Sequence, residues 1–139
     1  NVRLGDPETQ PILLRLRSDL VDLLEAALDA RLDRAHAEWD PRTALGVVLA
    51  AGGYPSAYRK GDAIDGLPEH DAPDTKVFHA GTALRDGRVV TNGGRVLCTC
   101  ALGATVAEAR EHAYALAARI HWDGVYYRRD IGHRALARS

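Results

Sequence analysis

The chain of 139 residues is long enough for one ordinary domain, and its hydrophobic content of 46% can supply a core. Its 18 basic residues are balanced by 19 acidic residues, for a net charge of -1. This balance argues against a nucleic-acid-binding surface and against attraction to anionic membranes. We recognise no signal peptide and no apolar run long enough to span a bilayer, so we expect a cytoplasmic protein.

The first forty residues predict helices. Apolar residues recur every three or four positions between residues 13 and 27, which is typical of a helix with one buried face. Thr9 is predicted to cap the first helix. Ser18 and Asp19 resemble a second helix start, so we expect either a kink or two abutting helices. The polar stretch 31–42 ends in Pro-Arg and predicts a boundary.

A different pattern follows this boundary. Residues 43–55 read as a short buried strand that runs into the turn Gly52-Gly53-Tyr54-Pro55. Residues 56–75 are rich in Gly, Pro and Asp, and they predict a long loop.

Two turn signals then predict an antiparallel meander. Asp86-Gly87 and Asn92-Gly93 are typical of tight hairpins. They separate the predicted strands 76–84, 88–90 and 95–103.

One clear helix and a short tail complete the chain. Thr105 and Glu108 have the spacing of a capping box ahead of apolar residues at helical intervals. After it, Asp123-Gly124 predicts a turn into a short aromatic strand and a final helical turn. The predicted fold class is therefore α+β, with a helical piece over 1–40 and a small domain over 41–139 that contains the meander and one or two packed helices.

Cys98 and Cys100 are spaced so that both side chains fall on the same face of a strand. The chain has no further cysteine that would complete a zinc site. We therefore expect buried thiols in a reducing compartment.

The opening stretch holds the first candidate site residues. Asn1 offers a neutral oxygen ligand for a hard divalent cation, and the fork of Arg3 suits a carboxylate or a phosphate. Asp6 and Glu8 follow a glycine just ahead of a helix. The alternative is that these acidic residues only favour the positive end of that helix.

Two glycine-rich turns are the second candidate. Gly52-Gly53 and Gly93-Gly94 permit close backbone approach to a ligand, and Arg95 follows the second pair. The alternative is that they are only a tight turn and a hairpin turn. A turn that shapes the backbone can also form part of a ligand-binding surface.

Taken together, these stretches resemble the glycinamide ribonucleotide synthetase (phosphoribosylamine–glycine ligase) family, within the ATP-grasp superfamily. They cover the whole chain in the family's order, with 31–42 the least similar part. The matching stretches are "NVRLGDPETQP", "SDLVDLL", "LGVVLAAGGYP", "GDAIDGL", "KVFHAGT", "VVTNGGRVLC", "ALGATVAEA" and "IHWDGVYYRRDIGHRA".

The resemblance implies the carboxy-terminal third of an ATP-dependent ligase. Such an enzyme joins glycine to 5-phosphoribosylamine through glycyl phosphate, with ATP as co-substrate and Mg²⁺ or Mn²⁺ as cofactor. By position in the motif Glu-x-Asn-x-Arg, Asn1 is the expected metal ligand and Arg3 the catalytic cation. Asp6 and Glu8 are expected to bind glycine or phosphoribosylamine.

It also implies a domain division and a substrate surface. Residues 1–40 would end the ATP-grasp domain, and 41–139 would be the family's C-terminal domain. The residues expected to border phosphoribosylamine are Gly52, Gly53, Tyr54, Gly93, Gly94 and Arg95. The alternatives are another ATP-grasp carboxylate–amine ligase or a non-catalytic module, and we expect the chain alone to be inactive.

Overall fold

A computed structural model describes residues 3–137 as an α+β fold, which confirms the predicted fold class. A single-turn 3₁₀ helix, Leu32–Arg34, lies between the second helix and the first strand. In chain order the other elements are α1 Thr9–Arg15, α2 Leu20–Leu28, β1 Thr43–Ala50, β2 Thr75–His79, β3 Thr82–Arg85, β4 Arg88–Thr91, β5 Arg95–Gly103, α3 Val106–Arg119 and α4 His133–Leu136.

The main sheet has the order β1-β5-β2, and both pairings are antiparallel. The central strand β5 is buried at every position after Arg95, because strands cover both of its edges and helices cover its faces. Leu45, Val47 and Leu49 of β1 point to the core. Gly46 and Val48 alternate with them and therefore face the other side of the sheet.

Helix α3 covers the core face of the sheet, and it begins as the capping signal predicts. The Thr105 side chain accepts a hydrogen bond from Glu108 N at 3.2 Å, while the Glu108 carboxylate accepts one from Ala104 N at 2.7 Å. The helix buries small side chains such as Ala113 against the sheet, which allows a close approach. Thr99 Oγ1 of β5 consequently donates to Ala113 O at 3.1 Å.

The prediction of a single strand over 76–84 is wrong. The strand is interrupted at Ala80 and Gly81, whose N–H groups both donate to Val96 O at 3.0 Å. It then leaves the main sheet and forms a separate two-stranded sheet, β3-β4. The predicted turn at Asp86-Gly87 joins these two strands, and both residues adopt the positive φ that such a turn requires.

The predicted hairpin at Asn92-Gly93 is also wrong, because β4 and β5 belong to different sheets. Gly93 does not adopt a positive φ. Glycine is needed at this position because the backbone packs closely: a Cβ at Gly93 would lie 2.9 Å from the Cα atom of Gly81. Asn92 N donates to Gly81 O at 2.7 Å, so two backbone segments cross here.

Two separate helices precede β1, as expected. Asp19 caps α2 by accepting from Val21 N at 2.7 Å. Thr9 is not the cap of α1: the helix begins at Thr9, and Glu8 occupies the cap position without a side-chain bond. No helix within residues 3–137 is long and apolar enough to cross a membrane.

A buried carboxylate connects this helical part to the strands. Asp40 is 4% exposed and accepts hydrogen bonds from Arg42 Nε at 3.0 Å and from Arg17 Nη2 at 3.1 Å. Arg15 donates to Asp40 O through two nitrogens, and Asp40 N donates back to Arg15 O. Arg42 also pairs with Asp74, just ahead of β2.

This arrangement predicts a pH-dependent stability. The Arg42 guanidinium, through its hydrogen bonds, holds the pKa of Asp40 well below its usual range. A carboxyl group whose folded-state pKa is depressed stabilises the fold above its unfolded pKa of about 4, and this contribution is lost as the pH falls further. Asp40→Asn should therefore lower the Tm at neutral pH, with a gap to the wild type that narrows below about pH 4. Thermal unfolding followed by circular dichroism across this range tests it, and a gap that does not change with pH would contradict it.

Candidate functional site

A pocket of about 390 Å³ lies on the face of the sheet opposite α3. Gly46, Val48 and Ala50 of β1 line its floor, because these residues alternate with the core positions of the strand. Its walls come from the segment before α1, the turn after β1, the start of β5 and the tail. We call it the Arg95 pocket, and its wall residues include Pro7, Tyr54, Arg95, Tyr126, Tyr127 and Arg128.

The structure brings together two predicted site residues that are far apart in sequence. Arg95 Nε lies 3.0 Å from Asp6 Oδ2, and the two side chains are 42% and 35% exposed. A pair this exposed contributes little to stability. Gln10 Nε2 also donates to Asp6 Oδ1 at 3.1 Å. The ion pair therefore orients Arg95 at the mouth of the pocket more than it holds the fold together.

The two glycine-rich turns adjoin each other. Ala51 N donates to Gly94 O at 2.8 Å. The ring of Tyr54 lies against Gly94, and a Cβ at Gly94 would be 2.1 Å from a ring carbon. Gly53 adopts a φ of 90°, which favours glycine, while Gly52 packs against Gly124.

The tail supplies pocket residues that the sequence did not single out as a site. Tyr126 and Ala50 exchange two backbone hydrogen bonds at 2.8 and 3.0 Å, which places Tyr126 and Arg128 at the pocket. Arg128 pairs with Asp130 through two nitrogens and lowers the pKa of that carboxyl to about 2. The paired tyrosines and arginines of "YYRRD" are visible in the sequence, but the pattern predicts only a short aromatic strand there.

Other predicted site residues lie apart from the pocket. Glu8 lines a different, open groove with Trp39 and Pro41. Arg3 Nη1 donates to Leu4 O at 3.2 Å, and Arg3 does not line the Arg95 pocket.

The described part of the chain does not include the predicted metal ligand. Within residues 3–137, no three His, Cys, Asp or Glu side chains are grouped so that they could hold a metal ion. Asn1, the predicted ligand, lies outside the described residues. We therefore assign no chemical step to a metal ion.

Residues 44–134 match the family model described as phosphoribosylglycinamide synthetase, C domain. The chain belongs to this family. The matched residues of this phosphoribosylglycinamide synthetase C domain include the floor of the Arg95 pocket, Arg95 and the tail that carries Arg128.

Relatives of this synthetase family match over the whole chain. The chain is 61% identical in sequence to the phosphoribosylamine–glycine ligase of Vibrio parahaemolyticus and 62% identical to that of Pseudomonas aeruginosa. The structure also matches the crystal structure of phosphoribosylamine–glycine ligase from Thermotoga maritima, with a TM-score of 0.73. The match covers 94% of this chain, at 44% sequence identity. The chain spans 32% of the length of each of these proteins.

Proposed function

We propose that this chain is the carboxy-terminal third of an ATP-dependent phosphoribosylamine–glycine ligase of purine biosynthesis. The observation that carries the proposal is the 61% identity to the ligase of that name from Vibrio parahaemolyticus, which extends over all 139 residues. Residues 1–40 would then complete the ATP-grasp domain, and 41–139 would form the C-terminal domain. We also propose a cytoplasmic location.

In this proposal the Arg95 pocket binds 5-phosphoribosylamine. Arg95 and Arg128 supply guanidinium groups, which suit a phosphate because they donate in a planar fork. Tyr54 and Tyr126 provide apolar faces for the sugar. Asp6 holds Arg95 in place through the ion pair.

The remaining predicted roles concern phosphoryl transfer from ATP to glycine. Arg3 would neutralise the transferring phosphoryl group, and Asn1 would contribute a ligand to Mg²⁺ or Mn²⁺. A bound dication would neutralise phosphate charge. Glu8 stays a predicted ligand for the glycine ammonium group or for phosphoribosylamine. The nucleotide itself would be bound by the part of the ligase that precedes this chain.

A chimera tests the proposal. In it, this chain replaces the matching third of the Pseudomonas aeruginosa ligase, to which it is 62% identical. ADP release should require both glycine and phosphoribosylamine, at a rate near that of the parent enzyme. A chimera that folds, as judged by its Tm, but releases no ADP with these substrates would contradict the proposal.

The chain alone should neither catalyse ligation nor bind ATP tightly. Phosphoryl transfer needs a nucleotide site with fixed positive charges around it. The proposal places that site in the part of the ligase that this chain, at 32% of the length of its relatives, does not span. Titration calorimetry with Mg-ATP should show no saturable heat. A dissociation constant in the low micromolar range, roughly -8 kcal/mol, would contradict this expectation.

A further inference from the structure

Two cysteine thiols lie together beneath the Arg95 pocket. Cys98 and Cys100 project from the same face of β5, and their Sγ atoms are 3.6 Å apart. They are 1% and 0% exposed. Cys98 and Cys100 are the two cysteines of these 139 residues, and each is the other's neighbour. The proposed ligase function uses neither thiol.

Gly46 leaves space for these thiols. It lies opposite Cys100 in the β1–β5 pairing, and a Cβ at Gly46 would be 3.1 Å from both sulfur atoms. Any larger side chain at this position would press on both sulfurs. Because Gly46 also lines the Arg95 pocket, the thiols lie directly next to the pocket floor.

The element that covers the thiols is a short helix. Pro11 of α1 lies over Gly46, with its Cδ atom 3.6 Å from the Cβ position. Helix α1 has 7 residues, and none of them is buried. A short helix without a fully buried residue opens at a lower free-energy cost than the core of the fold. Such a local opening would let a small molecule reach Cys98 and Cys100 without global unfolding.

The two thiols are chemically unequal. The hydrogen bond from Cys100 lowers the pKa of Cys98, whereas this contact and burial raise the pKa of Cys100. The thiolate is the reactive form of cysteine. The lowered pKa favours Cys98 as the attacking thiol, and Cys100, with its Sγ atom 3.6 Å away, is positioned to react with the oxidised product.

We propose that Cys98 and Cys100 form a reversible redox site that hydrogen peroxide converts into an intrachain disulfide. The Cys98 thiolate attacks one peroxide oxygen, the O–O bond breaks, and the leaving hydroxide takes up a proton to become water. The sulfur of Cys100 then attacks the sulfenic acid of Cys98, the S–O bond breaks, and a second water leaves with the Cys100 proton. The two sulfurs together lose two electrons, and the peroxide gains them.

The disulfide would distort the strand. Residues two apart in a strand are separated by about 6.6–6.8 Å, which is at the long end of the Cα separations that disulfides span. Strand β5 must therefore shorten between Cys98 and Cys100. Because both sulfurs lie next to Gly46, a residue of the pocket floor, this change would occur directly beneath the Arg95 pocket.

Peptide mapping of the full-length protein tests the proposal. The native protein is treated with hydrogen peroxide, quenched with catalase, denatured, alkylated and digested with trypsin. Both thiols fall in the peptide 96–110. We expect this peptide to carry no alkyl group and to be two hydrogen masses lighter than its reduced, unalkylated form. Treatment with dithiothreitol before alkylation should restore both alkyl groups. Full alkylation after peroxide, irreversible oxidation of both sulfurs, or disulfides between molecules would each overturn the proposal.

Three variants test the assigned roles. Cys100→Ser should leave a sulfenic acid on Cys98 that dimedone traps, whereas Cys98→Ser should give little trapping at Cys100. Gly46→Ala keeps both thiols but crowds them, so disulfide formation should slow severalfold. The wild-type result stands by itself if a variant fails to fold. Equal dimedone trapping in the two serine variants would overturn the assigned order.

Discussion

Arg95→Ala in the full-length ligase is expected to raise the KM for phosphoribosylamine roughly ten- to a hundredfold. The loss of one charged hydrogen bond costs about 1.5–3 kcal/mol, and each 1.4 kcal/mol is about a factor of ten. Arg95 stands at the pocket mouth, where Asp6 orients it at 3.0 Å. The KM values for ATP and glycine should change little, because the proposal places both substrates outside this pocket.

Arg88→Ala is a matched control for this variant. Arg88 is also an exposed arginine paired with an aspartate, Asp65, at 2.9 Å. It lies on the β3-β4 sheet and does not line the Arg95 pocket. Both substitutions remove one exposed ion pair and should shift the Tm by only a few degrees. The kinetic effect should be confined to Arg95→Ala.

Two further substitutions separate positioning from charge. Asp6→Asn removes the charge partner of Arg95 but keeps the guanidinium, so its effect on the KM for phosphoribosylamine should be smaller. Arg95→Lys keeps the charge without the fork and should give an intermediate KM. Steady-state kinetics with each substrate varied in turn distinguishes these outcomes. An unchanged KM in Arg95→Ala, or an equal rise for all three substrates, would show that the Arg95 pocket does not bind phosphoribosylamine.

Local signals in the sequence account for most of the elements. The spacing of Thr105 and Glu108 predicts the start of α3. Ser18 and Asp19 predict either a kink or two abutting helices, and the structure has two helices there. Asp86-Gly87 predicts its hairpin because positive φ at both residues is a property of the turn itself. Such features depend on neighbours in sequence, which a pattern can show.

The errors concern contacts between distant segments. Asn92-Gly93 has the composition of a hairpin turn, but Gly93 is adjacent to Gly81, and this contact separates two sheets. The composition of a turn indicates flexibility in the backbone and does not show which strands it connects. The close crossing depends on Gly81, which the sequence analysis placed inside a continuous strand.

Individual residues of the candidate site can be predicted from the sequence, but the contacts between distant residues that assemble it cannot. Asp6, Tyr54 and Arg95 were each selected, but neither spacing nor composition shows that Asp6 and Arg95 meet. Tyr126 and Arg128 join them only because the tail pairs with Ala50 at the end of β1. That pairing is a single bridge, too short to leave a strand signal.

Gly66→Ala is expected to be among the most destabilising single substitutions in the chain. Gly66 adopts a φ of 79°, and a Cβ there would lie 1.8 Å from the backbone oxygen of Arg119. The neighbouring residues cannot move apart easily, because Asp65 and His121 exchange two backbone hydrogen bonds at 3.0 Å. Alanine therefore meets both an unfavourable φ and a clash with backbone. The two effects together should cost about 3 kcal/mol or more.

Two other glycines separate these effects. Gly87 has a φ of 77° with no atom within 4 Å of its Cβ position, so Gly87→Ala tests the backbone conformation alone, at about 1 kcal/mol. Gly81 does not have a positive φ, but its Cβ would lie 2.6 Å from Arg95 O, so Gly81→Ala tests the clash. Thermal unfolding can be followed by the fluorescence of the two tryptophans, of which Trp122 is 6% exposed and Trp39 is 47% exposed in the fold. Gly66→Ala should lower the Tm by roughly 10 °C, more than either of the others. Equal Tm values for Gly66→Ala and Gly87→Ala would show that the loop around Gly66 shifts away from α3 at little cost.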